Sequence, residues 1–304
     1  VPEQTGRFEE SGRMVRERSM PECAHPLHFS DFKYRMVSTA IGLGQFEREL
    51  TLVTERLGYA RSLGVGRNHL QFAFNSMGRV HLHLGHFQEA YALASSAAQE
   101  WANFHGWPHP YFRRTMGMAL LAEGEVQEAR KILSDVRADH QRVGADNLFR
   151  SGAWVDETYP YLAHGDLAQA RQCLVEGLRI VSQTGAYRFT VQALPAAALL
   201  LAWEERLEVA GCLTGSIQRY PYLTNSRWYA TVALDRLAEL LAPLPADVRA
   251  AAEARGRGME LPELTDELLA PDKRARNRAR YARCAVFYAS DAHPTLATPQ
   301  AVPD

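Results

Sequence analysis

Gly85-His-Phe-Gln-Glu-Ala90 is the stretch that decides the fold, because it comes back. Gly124-Glu-Val-Gln-Glu-Ala129 and Gly165-Asp-Leu-Ala-Gln-Ala170 repeat its order, and Gly44-Gln-Phe-Glu-Arg-Glu49 precedes it. A fifth copy, Glu205-Arg-Leu-Glu-Val-Ala210, keeps the apolar residue and the alanine but loses the glycine. The starts are spaced 41, 39, 41 and 40 residues apart, a period that chance does not hold over five copies. Each position has a physical task. A glycine ends a helix where the chain must turn through a left-handed conformation, which costs little only without a Cβ. The apolar residue two places later opens the buried face of the next helix, and the alanine lets two helix backbones approach.

A second mark falls 15 or 16 residues beyond the last place of the motif, at Gly64, Gly106, Gly144 and Gly185. That distance is a helix of about four turns. The unit is therefore helix, tight turn, helix, looser turn. The segments between the marks carry helical periodicity: Ala90, Leu93, Ala94, Ala97, Ala98 and Trp101 fall on one face. Leu70–Leu84 and Tyr111–Ala122 read the same way, without internal proline. No stretch shows the sustained alternation and tight turns of a hairpin.

Gly78 and Gly117 sit seven residues before Gly85 and Gly124. With Ala90 and Ala129 they occupy the small-residue places of a tetratricopeptide repeat, and over roughly Pro26–Tyr220 the chain resembles that family. His81, Leu120, Tyr161 and Leu201 stand at the aromatic place of the repeat frame. The usual repeat has about 34 residues; this one is longer. The resemblance implies an all-α, right-handed α-solenoid of helix-turn-helix repeats with a C-terminal helical cap. It also implies that the first helix of each pair lines a concave groove, which places Tyr34, Asn75, Arg79, Arg114, Asp156 and Tyr159 at or near groove positions. There an Asn amide would hold a peptide backbone and an Arg would grip a carboxylate in fork geometry.

After the fifth repeat the pattern changes. Ser226–Leu241 reads as a helix broken by Pro243 and Pro245, Ala246–Arg257 as a second, and Leu264–Leu269 as a short last one. An open stack needs such a terminal element to shield its last apolar face. The order Pro243-Leu-Pro-Ala-Asp, then Ala250 through Leu264, resembles the end of bacterial STAND-type signalling ATPases and of LuxR-type or cyclase-linked regulators. The resemblance implies the sensor or scaffold region of a larger regulator, binding a protein, a peptide or a small effector. The alternative is a free-standing adaptor that takes a partner peptide in its groove. The expected organisation is a poorly ordered lead-in at 1–26, five repeats at 27–222, a cap at 223–270, and a basic segment with a flexible tail at 271–304. The chain starts at Val1 without an initiator Met, which reads as a piece of something longer.

Composition narrows the function. Apolar residues make up 46%, enough for a continuous core, and a formal net charge of −1 gives no bulk attraction for nucleic acid or an anionic membrane. The cations of Lys273–Arg283 read as a solvated helix face or a frayed end. No apolar run reaches the roughly 20 residues of a membrane span. Cys23, Cys173, Cys212 and Cys284 are scattered, with no CxxC pair, which fits a reducing, cytoplasmic compartment. The sequence has no phosphate loop of the GxxxxGK[ST] type and no Gly-x-Ser-x-Gly, and Gly211-Cys-Leu-Thr-Gly215 falls inside an expected helix. His81 and His83, two apart, cannot share a helix face, and His105 and His109 flank an expected surface turn. Trp101, Trp154 and Trp203 read as core between repeats. No catalyst, cofactor or metal is expected.

Overall fold

A computed structural model describes residues 43–62, 67–142 and 147–269, and every regular element among them is helical. The lead-in 1–26, the candidate groove residue Tyr34, Cys23, Cys284 and the basic segment 273–283 lie outside the described residues. The described helices begin with α1 Phe46–Ser62, α2 Arg67–Leu84, α3 Phe87–His105, α4 Pro110–Ala122, α5 Val126–Arg142, α6 Asn147–His164, α7 Leu167–Thr184, α8 Arg188–Trp203 and α9 Leu207–Ile217. Consecutive helices pack on each other, and α2, α4, α6 and α8 also touch one another in order. The result is an α-solenoid of tetratricopeptide-like pairs in which those four form the inner row.

The repeat grammar acts through the backbone. Gly44, Gly85, Gly124 and Gly165 all have positive φ, between 65° and 89°. Glu205, the place without glycine, adopts φ 59° all the same, the one non-glycine residue among those described to do so. The turn is therefore imposed by packing of the helices on either side, and glycine only makes it cheaper. The alanine places behave alike: Ala90, Ala129, Ala170 and Ala210 expose nothing. Asp166 caps α7 by accepting the Gln169 amide N–H, which satisfies one of the orphan donors of the first turn.

The residues after α9 do more than close the stack. A short helix α10, Pro221–Thr224, leads into α11, Arg227–Tyr229, then a π-helical turn at Ala230–Leu234 and α12, Asp235–Leu241. This segment lies along the inner row. Trp228 donates its indole N–H to the carbonyl of Met118 in α4 at 2.8 Å, and its ring meets that of Tyr159 in α6 edge-on at 5.0 Å. Asn225 donates to the carbonyl of Gly44 at 3.2 Å, and Ser226 is 2.8 Å from the ring nitrogen of His83 in α2. Helix α13, Ala246–Gly258, then packs on α9, and α14, Leu261–Leu269, on α7 and α8. At the α9–α13 contact the backbones nearly touch: a Cβ on Gly256 would overlap the carbonyl oxygen of Cys212.

Candidate functional site on the inner row

Five of the six expected groove residues lie among the described residues, and all five sit on the inner row: Asn75 and Arg79 on α2, Arg114 on α4, Asp156 and Tyr159 on α6. Several of them tie one inner helix to the next. Arg79 donates to the Tyr111 hydroxyl of α4 at 2.6 Å. Arg114 grips both carboxylate oxygens of Asp156, the Nη2–Oδ1 bond being 2.8 Å. Tyr159 donates to the Gln192 carbonyl of α8 at 2.7 Å. The row that the sequence assigns to partner recognition thus carries a ladder of polar bonds that also fixes the register of the repeats.

The rungs differ in what they leave over. Arg114 and Asp156 neutralise one another in two-bond geometry, the strong form of a charge pair. The paired carboxylate helps hold the Arg114 guanidinium above its ordinary range against the opposing effect of burial. Tyr159 is almost wholly buried and its phenol is pushed up by burial first, then by the Asp156 charge. Arg79 is different: it spends one N–H on Tyr111. It lies deep among protein atoms yet keeps accessible surface, as do Tyr111 and Arg114. These three side chains stand on neighbouring inner helices, each partly exposed. Burial alone would raise the Tyr111 phenol, but the guanidiniums of Arg79, Arg114 and Arg188 together pull it below its ordinary 10.0.

Two buried groups on this side have no partner. Both polar atoms of the Asn75 amide and both oxygens of the Glu49 carboxyl make no hydrogen bond, and neither residue exposes any surface. Burial pushes the Glu49 acid well above its ordinary 4.5, and the nearby Arg79 charge only partly offsets this. A signal for Glu49 exists in the sequence: it fills the place that is alanine in the four later repeats. His83 completes this side. Its ring stacks on Phe46 at 4.7 Å, and burial first, then Arg79 and Arg114, keep it well below the ordinary histidine range.

The turn between α3 and α4 is exposed at Gly106, Trp107 and Pro108, as expected, while His105 and His109 at its two ends are partly covered. His105 stacks on Trp101 with centroids 4.1 Å apart, and His109 meets Trp101 edge-on at 4.9 Å. The large indole gives both imidazoles a surface to bury against, and His109 is pushed down to about 4 by burial, then by His140 and His105. Phe104 and Trp107 remain exposed beside it. Of the three tryptophans expected between repeats, Trp101 is buried, Trp203 is partly buried against the main core, and Trp154 lies under the Arg137 guanidinium at 4.3 Å.

His81 is 3.1 Å from His86 through their Nδ1 atoms, while His83 points the other way into the core. Among the described residues no three His, Cys, Asp or Glu side chains converge as a metal site would require. Cys173 and Cys212 are free and buried, and the Cys173 thiol is pushed up to about 12 by burial, then by Glu157. No helix among the described residues is long and apolar enough to cross a membrane.

No protein-family model matches the chain, and no curated protein matches it. Two solved structures that resemble it are both of a putative kinesin light chain with nearly identical TPR-like repeats from Podosopora anserina. One is 16% identical with a TM-score of 0.42, covering 77% of this chain and 99% of that one. The other, a single-substitution variant of that protein, is 16% identical with a TM-score of 0.43, covering 78% and 100%.

Proposed function

We propose that this chain is the non-catalytic sensor region of a larger signalling protein, and that its inner row takes an effector whose binding is passed to an output domain elsewhere in that protein. The observation that supports the reading is that Glu49 and Asn75 are buried without hydrogen-bond partners on the side where Arg79, partly exposed, spends one N–H on Tyr111. Solenoids hold together with small and apolar residues at such places. Polar groups buried without partners weaken the fold, and a protein that keeps them commonly uses them. The segment through Pro221–Leu234 lies on the same face, which favours a compact effector over an extended peptide laid along the whole groove. Because that segment touches α2, α4, α6 and α8 in turn, a change at one inner helix has a physical route along the row.

Site-directed photo-crosslinking in the native cell tests this. A benzophenone side chain replaces Phe149, which is exposed and faces Tyr111 at 6.4 Å, or Lys131, which is exposed on the outer helix α5. The expected result is an adduct from position 149 and none from 131, with the intact mass separating a protein partner from a small effector. Equal labelling at both positions, or none at either, overturns the reading.

A further inference from the structure

The corner between α3 and α4 is closed by a side chain that can change its charge. Helix α4 opens on Pro110, which has no N–H to place. The N–H groups of Phe112 and Arg113 both turn back to the carbonyl of His109, at 3.1 and 3.4 Å. The N–H of Tyr111 is the donor left over in this first turn, and it goes to Nδ1 of the His109 ring at 3.1 Å. Serine, threonine, aspartate and asparagine are the usual residues at such a place, and Asp166 does the same work on α7. An imidazole can serve there only while Nδ1 carries no proton, because a backbone N–H donates and never accepts. The bond therefore fixes the ring as the neutral tautomer with its proton on Nε2.

The corner gives a charged ring no partner. His109 lies edge-on to Phe72 of α2 at 5.5 Å and to Trp101 of α3 at 4.9 Å, beside Phe112 of α4 at 5.2 Å and stacked on Trp107 of the turn at 5.6 Å. Helix α2 thus turns an apolar ring to it. The charged and titratable groups on the other elements of the corner are Glu100 and His105 on α3, Arg113 on α4, and Asp135, Asp139 and His140 on α5. The acids among them are already engaged: Glu100 accepts from Gln71 at 2.8 Å, and Asp135 and Asp139 hold Arg113 at 2.8 and 2.9 Å. Burial first, then His140 and His105, push the His109 ring down to about 4. A proton added at Nδ1 breaks the bond to Tyr111 and drives the ring toward water on the side of Trp107, which is already exposed. Tyr111 is held at both ends, its backbone by His109 and its hydroxyl by Arg79 of α2 at 2.6 Å.

We propose that the α3–α4 corner is an acid-sensitive latch, in which neutral His109 pins Tyr111 at the start of α4, and protonated His109 releases it together with the rung to Arg79 on the inner row. The latch depends on the corner alone, whatever the row binds. The sign follows from the depressed ring. Between the ordinary 6.5 and about 4, the opened corner takes up a proton that the closed one refuses. Closure is fully favoured above 6.5 and weakens as pH falls toward about 4. His140 acts in the same direction, lowered by burial first and then by Arg114, with Asp156 and Asp139 opposing. A test has to separate the two rings.

The test uses the full chain without ligand. Amide exchange read by NMR and corrected for the intrinsic rate should show the protection of the Tyr111 N–H falling at least tenfold from about pH 7 to about pH 5. His109→Asn keeps an acceptor at the cap and removes the charge change, so most of that fall should disappear. His140→Asn should keep it. If His109→Asn fails to fold, the nitrogen signals of the His109 ring in the unaltered chain decide: Nδ1 should be bare and Nε2 protonated at neutral pH, with titration near the depressed value. The ring signals of Tyr111 should move over the same pH range as its hydroxyl loses Arg79. Constant protection of Tyr111, a fall that survives in His109→Asn, or a proton on Nδ1 at neutral pH overturns the latch. Tyr111 ring signals that stay still while its amide opens overturn the link to the inner row.

Discussion

Helices α2 and α8 occupy the same place in the repeat, three units apart, and are filled in opposite ways. In α8 the buried residues run Phe189, Thr190, Val191 and then without interruption from Ala193 to Ala202, with Thr190 the one polar side chain among them. Its hydroxyl is spent on Thr265 of α14 at 2.8 Å. In α2 the buried set includes Gln71, Asn75, Ser76 and His83, and Arg79 is partly exposed. The helices that precede them differ in the same sense, since α7 offers Ala170 where α1 offers Glu49. Helix α8 shows what the solenoid requires of an inner helix: small and apolar side chains at close packing. The polar filling of α2 is therefore surplus to the fold, and a stack that would be more stable without it points to selection for something else.

The segment through Trp228 is what joins these two regions, so removing it should have the largest effect. Trp228 is 1% exposed and reaches across to both α4 and α6. Trp228→Ala is expected to cost about 4 kcal/mol in urea unfolding. Amide exchange should speed up over Pro221–Leu234 and over α2 together. A cost under about 1 kcal/mol would mean that the segment does not couple the polar end to the apolar one. Next comes the closest contact of the apolar end. Gly256→Ala drives a Cβ into the carbonyl of Cys212, where only backbone movement relieves it, and should cost about 3 kcal/mol. The loss should appear in exchange of α9 and α13 and spare α2. Equal loosening of α2 would show the two ends to be one cooperative unit. Smaller again is Tyr111→Phe, which removes the hydroxyl that Arg79 holds while leaving the ring. A cost of about 1 kcal/mol is expected, the usual net value of one such bond.

Much of this contrast is written in the chain. The glycine spacing marks the corners, and Gly85, Gly124 and Gly165 do occupy equivalent ones with positive φ. The inner-row residues Asn75, Arg79, Arg114, Asp156 and Tyr159 follow from the repeat frame alone. What the frame does not give is how they pair. Arg114 meets Asp156 across 42 positions and Arg79 meets Tyr111 across 32, and such pairings depend on the angle between neighbouring helices. The return of Pro221–Leu234 along the inner row has no local signal either. Trp228 and Val232 read equally well as the apolar stripe of a capping helix, because a stripe says that a face is covered without saying by what. His105 and His109 flank a glycine and a proline, which mark a turn, but the turn folds back on Trp101 and takes both rings with it. Glu49 is legible in principle, as an acid in an alanine register, although four alanines draw the eye to the rule and away from its exception.

Glu49 also gives the smallest and most diagnostic effect. Its carboxyl is held well above 4.5 in the folded protein by burial, with Arg79 opposing. The unfolded chain ionises at the ordinary value. Above 4.5, then, the unfolded state gives up a proton that the folded state keeps, and the slope of stability with pH is negative. The contribution of Glu49 to stability should fall as pH rises, until the folded carboxyl itself ionises and the difference levels off, while the depressed histidines His83 and His109 act in the opposite sense in both proteins. Glu49→Gln has nothing to ionise, so the two proteins should unfold at nearly the same urea concentration below 4.5, and the variant should gain a growing advantage as pH rises above it. Midpoints measured at half-unit pH steps without added ligand resolve this. Curves that run parallel across the range would mean that the first repeat accommodates a charged acid at no cost. The difference between α1–α2 and α7–α8 would then be one of composition alone, without the strain that points to a ligand.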